Sequence, residues 1–421
     1  MSPAKTHGTP RPRHRPMRTP LVRMRDALLE FLGDETKAGL LVIIIALLAL
    51  IISNSPLSDA YSQLSHAHFG PSALGLNLSV HEWAADGLLT IFFFVVGLEL
   101  KTEFVTGALR DMKEAALPML AAAFGMLGPA LVYAAFQAAT GSGAWSGWAV
   151  PTATDIAFAV AILSIFGKGM PPAARTFLLT LAVVDDLLAI LVIAFFFSSG
   201  LNFIALFASF AFIGLFGLLT AEGIRRPWIL IPIGVIAWAC MLNSGVHATI
   251  AGVLLGLIVP ATRTREGQMT HEFAHTVGPW SAGLALPVFA FFAAGVSVLG
   301  AEGGLLGAFG DPVTLGIALA LPLGKFLGIW GSVWALTKWT RLRLAHGVDL
   351  PDVAAMALLA GIGFTVAMLI GGLAFTDELL IAHARLGVII GTFASAILGA
   401  IALKMRISVH VRGDAAKRKR R

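Results

Sequence analysis

A chain of 421 residues that is 57% hydrophobic and 13% charged, with a mean hydropathy of +0.83, is too apolar to fold as a water-soluble globule. The net charge of +6 gathers in two basic tails, Arg11, Arg13, Arg15 and Arg18 at the front and Lys417 to Arg421 at the back. That pattern suits attraction to anionic lipid better than nucleic-acid binding, and the single cysteine, Cys240, excludes an intrachain disulfide.

Residues 1–30, rich in Pro and Arg, read as a basic cytoplasmic tail that is disordered or lies on the membrane surface. They are not a cleaved signal peptide, because the first apolar run begins too late, near Ala38. From there the chain falls into apolar runs of about 16 to 25 residues, the length one helix needs to cross a hydrocarbon core of ~30 Å. With no water to satisfy free backbone groups at that depth, these runs must be helices. Twelve spans are predicted, at roughly 38–53, 82–106, 115–137, 148–165, 172–198, 201–221, 227–242, 244–260, 276–299, 311–337, 351–373 and 385–406.

Hydropathy alone leaves ten or eleven spans open, since Met241 to Gly245 is only a thin break, and charge decides between the counts. Connections without Lys or Arg, at 54–80, 138–147, 199–200, 243 and 300–310, alternate with connections that carry them. The charged ones hold Arg110 and Lys113, Lys168 and Arg175, Arg225 and Arg226, Arg263 and Arg265, then Lys338, Arg341 and Arg343. Arg385, in the last outer loop, departs from the pattern. Both ends then lie inside, which requires an even number of spans. The expected organisation is a tail at 1–30, a membrane transporter domain at 31–406 and a basic cytoplasmic tail at 407–421. The fold class is an all-α polytopic membrane protein.

A charged side chain at the centre of a span costs roughly 2.5–3.5 kcal/mol on insertion scales, so the few that occur are kept for a reason. Asp185 and Asp186 lie in the middle of the fifth span. Neighbours on a helix are turned by about 100° from one another, so the two acids face different partners. Such close, desolvated carboxylates titrate as a coupled pair, and the site accepts either protons or a hard cation such as Na⁺ or Li⁺.

The fourth span, Val150 to Phe158, carries Pro151, Thr152, Thr154 and Asp155, which favours an unwound middle. Broken backbone at that depth is tolerated where it lines a cavity. Its freed carbonyls and the Thr154 hydroxyl are candidate cation ligands, although Asp155 could equally cap the following half-helix. Lys325, about a dozen residues from either end of the tenth span, needs an anion or helix C-terminal carbonyls as its partner. The eleventh span is interrupted by Gly361-Ile362-Gly363-Phe364-Thr365. It is the middle helix of the last three spans, as the fourth is of spans three to five, which suggests inverted-topology repeats with two interrupted, crossing helices. Such a crossing joins like dipole ends, for which Asp155 would neutralise the positive pair and Lys325 the negative pair.

These residues resemble the bacterial NhaA-type Na⁺/H⁺ antiporters. The likeness rests on Phe94 to Glu103, Ala153 to Phe158, Asp185-Asp186-Leu187, Ser244 to Thr249, Gly324-Lys325 and Gly361 to Thr365, in matching order from about Phe31 to Arg406. The rule that paired interrupted helices mark a transporter's binding site was itself drawn in part from antiporters of this type. The resemblance implies an inner-membrane, pH-activated, electrogenic exchanger of Na⁺ or Li⁺ for more than one proton, working by alternating access without a cofactor. By motif match Asp186 would be the central Na⁺ ligand with Asp185 its partner, and Lys325 would pair with Asp185 and exchange protons. Asp155 and Thr154 would belong to the unwound crossing and Asp86 to the transport path. Glu99, Glu103 and His247 match positions linked to a cytoplasmic funnel or pH response, while the residues alone read equally as a solvated helix end and a satisfied core histidine. Two features depart from the pattern: Thr102 stands where an arginine is common, and Glu272 and His275 replace an adjacent Glu-His pair before the ninth span. The resemblance also implies a homodimer through a β-hairpin in segment 55–80, which Asn77 to His81 could form.

Two other classes keep acids in lipid. An intramembrane aspartyl protease needs two acids facing each other from different helices, commonly with a Gly-x-Gly-Asp span, which is missing here. A sodium-coupled solute symporter needs a larger polar pocket than these spans offer. The sequence therefore points to a transporter and not an enzyme.

Overall fold

The computed structural model describes residues 35–110, 112–261, 269–296, 307 and 309–419. The tail at 1–30 and the expected inner-side residues Arg263 and Arg265 lie outside the described residues. Helices dominate: α1 Glu35–Ser53, α2 Ser58–Ser65, α3 Leu89–Val105, α4 Met112–Thr140, α5 Ile156–Phe166, α6 Pro172–Phe196, α7 Phe203–Ala221, α8 Pro227–Leu242 and α9 Thr249–Ile258. They continue with α10 Met269–Trp280, α11 Leu286–Ala294, α12 Pro312–Leu319, α13 Gly331–Trp339, α14 Leu350–Ala360, α15 Phe364–Ala374 and α16 Glu378–Lys419. Among the described residues, six helical segments are long and apolar enough to cross a membrane, or nine if each bent pair is one span. The chain is a multi-pass helical membrane protein.

Among the described residues, three spans contain a wide turn, and the sequence explains two of them. In Ala320–Gly324 the missing N–H of Pro322 interrupts the regular ladder, and the chain rejoins through wide turns on both sides of Lys325, the second being Phe326–Trp330. Ser281–Ala285 precedes Pro287 in the same manner. The third, Trp83–Leu88, holds Asp86 and runs straight into α3.

Packing is close where side chains vanish. A Cβ on Gly97 would lie 2.3 Å from the Val253 carbonyl oxygen, one on Gly252 2.5 Å from that of Thr90, and one on Gly256 2.3 Å from that of Phe94. Backbones of α3 and α9 therefore touch, the usual route to helix association where lipid removes the hydrophobic drive. A second seam joins α4 to the span of Lys325, where a Cβ on Gly324 would meet Pro129 Cα at 2.3 Å and one on Gly328 the Phe124 carbonyl at 2.2 Å. Large apolar side chains on the outer faces, such as Ile204 and Phe207, stay exposed, as suits a surface that meets lipid.

Several boundaries differ from the sequence reading. Glu272 and His275 lie inside α10 instead of before the ninth span, because the helical backbone extends two turns past the apolar run that hydropathy detects. The eighth span begins at Thr249 and not at 244, since Gly245 takes a left-handed turn (φ 80°). The expected hairpin in 55–80 is reduced to His68–Phe69 paired with Leu78–Ser79, and α2 occupies the rest of its first half.

Candidate functional site

Both interrupted spans break at midspan. Trp145–Thr152 is a tight 3₁₀ helix with Pro151 near its end; Ala153 and Asp155 are extended, and α5 starts after Asp155 with a bend of 43°. The other pair, α14 and α15, bends by 50° across Gly361 to Gly363.

The two breaks meet. The Asp155 N–H donates to the Ile362 carbonyl at 2.6 Å, and the Thr154 hydroxyl donates to the Ala360 carbonyl at 2.7 Å. The Asp155 carboxylate accepts from two helix starts at once, Oδ1 from the Phe158 N–H of α5 at 3.0 Å and Oδ2 from the Thr365 N–H of α15 at 3.1 Å. One buried carboxylate thus faces both positive helix ends. At Gly363 a Cβ would stand 2.8 Å from the Ala153 carbonyl oxygen, so the approach needs a glycine.

Against this crossing stands the midpoint of α6. Lys325 Nζ donates to Asp185 Oδ2 at 2.6 Å, with both side chains wholly removed from the surface. Thr154 also adjoins Asp185. The ammonium is thus held by a carboxylate, while the Ala360 carbonyl at the end of α14 is met by the Thr154 hydroxyl. Asp186, 3% exposed, turns to another side of the helix and lies within electrostatic range of Asp185, Asp155, Glu99 and Lys325. Among the described residues, Asp185 Oδ1 and Asp186 Oδ1 are buried and accept no hydrogen bond. Free carboxylate oxygens in an apolar interior are costly unless something binds them.

The structure does not bring every candidate to this centre. Asp86 is half-buried in its wide turn, and its main-chain carbonyl accepts from Thr90 and from the Trp238 indole at 2.7 Å. Glu99 is exposed on α3, with Glu103 one turn on. Thr102 bonds back to the Leu98 carbonyl at 2.8 Å. The His247 ring reaches the Phe197 carbonyl at 3.1 Å, at the end of α6. Glu272 pairs with Arg225 at 2.5 Å near the surface, and His275 is exposed on the next turn. A further cluster went unseen in the sequence: Asp352, fully buried in the first turn of α14, accepts from Arg406 at 2.7 Å and contacts the His410 ring at 3.0 Å. The signal available for it was Arg406 and His410 one turn apart on a helix that outlasts its apolar stretch.

A model of the family described as Na+/H+ antiporter 1 matches residues 29–403. This chain belongs to that family. It is 50% identical over 401 residues, 94% of this chain and 84% of the relative, to the Na(+)/H(+) antiporter NhaA 3 of Streptomyces coelicolor. It is 50% identical to the NhaA antiporter of Streptomyces antibioticus over 91% of this chain and 80% of the relative. With NhaA 1 of Clavibacter michiganensis it shares 47% over 90% of this chain and 91% of the relative. Members so named are transporters, not enzymes.

Proposed function

We propose that the chain exchanges Na⁺ or Li⁺ for H⁺, with protons and the cation competing for Asp185 and Asp186. The observation that carries this reading is the buried Lys325–Asp185 pair beside an Asp186 whose Oδ1 is unbonded, set against two broken helices. Oxygen ligands suit a compact alkali cation, and the same oxygens suit a proton. A cation at Asp186 with Asp185 would compete with Lys325 for the Asp185 carboxylate, so loading the metal releases the ammonium to give up its proton. Asp155 holds the two positive helix ends together throughout. Thr154 is within reach to add an oxygen ligand.

More than one proton per cation makes the exchange electrogenic, and each net charge moved is worth about 2.3 kcal/mol per 100 mV. Glu99, Glu103, His247, Glu272 and His275 belong to the entry path and pH response in this reading, and Asp86 to the path near α3. The run from Val80 to Val105 together with the short apolar helices α8 and α9 raises the nine possible spans to twelve. An even count supports both termini on one side, the cytoplasmic one by their basic charge, and the reading includes two inverted repeats with crossing helices in the bacterial inner membrane. A homodimer through segment 55–80 fits the same scheme, and nucleic acid has no part in it.

In inside-out vesicles holding a proton gradient, added Na⁺ is expected to dequench a pH dye, and Asp186→Asn to abolish the signal. Full activity in that variant refutes the site assignment.

A further inference from the structure

Arg385 is the cation that departs from the charge alternation, and its surroundings explain why an arginine stands there. It lies near the start of α16, and among its described hydrogen bonds it donates from Nη2 to His81 Nε2 at 3.0 Å. Its Nε is buried and has no hydrogen-bond partner among the described residues. A ring nitrogen that accepts from a guanidinium carries no proton, so in the neutral ring the other nitrogen donates. The ring also lies beside the backbone of Phe292.

Phe292 is in the last turn of α11, where carbonyls have no partner in the helix. The Tyr61 hydroxyl reaches the Phe291 carbonyl at 2.8 Å and the Phe292 carbonyl at 3.2 Å. At Gly295 a Cβ would collide with the Tyr61 hydroxyl, so the tyrosine's seat depends on a missing side chain. The end of α11 is thus capped by Tyr61 of α2, with the His81 ring beside it and Arg385 as a countercharge near its negative end.

This connection joins two parts of the molecule. Arg385 belongs to α16, which packs on α12, α14 and α15, the helices of the Lys325 span and of one broken span. His81 belongs to the segment that continues into α3, which packs on α9 and α10. We infer that the Arg385–His81 contact is an outer latch. It ties the helices bearing the crossing to those of the Asp86 segment, and it must open for the site to face the outside. Arg385 and His81 act as positioning residues for alternating access. The inference rests on the antiport reading above, and deepens it.

A static cap and a latch differ in one respect: a permanent bridge leaves the first unharmed and stops the second. In a Cys240→Ser background, His81→Cys with Arg385→Cys is joined by a cleavable bis-methanethiosulfonate linker in proteoliposomes. Before linking, Na⁺-driven proton release should proceed; linking should abolish it, and a reductant should restore it. Undiminished exchange with the linker in place overturns the latch. Arg385→His gives a second route should the cysteine pair misfold, because it sets two imidazoles together for Zn²⁺. Zn²⁺ should block this variant reversibly, with a chelator restoring exchange, and leave the unmodified protein active. Equal Zn²⁺ response in both overturns the inference. Failure of the antiport reading is distinguishable, since the unmodified protein would then show no exchange at all.

Discussion

The Lys325–Asp185 pair lends itself to a double-mutant cycle in which the sign of the coupling is fixed by burial. Both side chains are wholly inaccessible and the N···O distance is 2.6 Å, so Lys325→Met leaves the Asp185 carboxylate without its bonded cation, and Asp185→Asn leaves the ammonium with only the unbonded Asp186 as countercharge in an apolar interior. Removing one member of such a pair is expected to cost about 3–5 kcal/mol, whereas replacing both by neutral groups is close to neutral or stabilising. The double variant should therefore be more stable than either single one, with a coupling of roughly 3 kcal/mol or more. Equilibrium unfolding in mixed micelles, followed by the fluorescence of the nine tryptophans, measures all four corners. Additive losses, with the double variant the least stable of the four, would refute the reasoning, because they would mean that solvent or another group already compensates each charge.

Further outcomes follow from other contacts. Thr154→Val deprives the buried Ala360 carbonyl of its donor and should cost about 1–3 kcal/mol in the same unfolding assay, with slower exchange as a second readout. Gly256→Leu forces a side chain against the Phe94 carbonyl and should lower stability by about 3 kcal/mol, visible as loss of the monodisperse peak on size exclusion. Arg225→Ala removes a pair whose side chains are 38% and 44% exposed, so a stability change below about 1 kcal/mol is expected.

What could be read from the sequence follows the cost of polar groups in lipid. Asp185, Asp186 and Lys325 stood out because each interrupts a long apolar run, and Gly361 to Thr365 because two glycines and a threonine at midspan have no packing motive. Their partners were not legible. Asp155 bonds a backbone N–H 210 residues away, and no local pattern names Thr365 as that donor. Asp352 escaped notice because, at a helix start, it looks like an ordinary capping acid, and only the folded chain places Arg406 beside it. Ends of helices were misjudged wherever the backbone stays helical outside the apolar stretch, as from Met269 to His275, since hydropathy reports the solvent and not the hydrogen-bond ladder. The helix Ser58–Ser65 has no long apolar run to announce it.

The glycine seam between α3 and α9 sets a mechanical limit. Where main chain rests on main chain at Gly97, Gly252 and Gly256, no flexible side chains remain to bend or swap rotamers as cushioning. The two helices can slide or rotate against one another only by parting, so whatever displaces Asp86 must carry the stretch after His247 with it. Events at that histidine and at that aspartate are thereby geared together, though no hydrogen bond joins them.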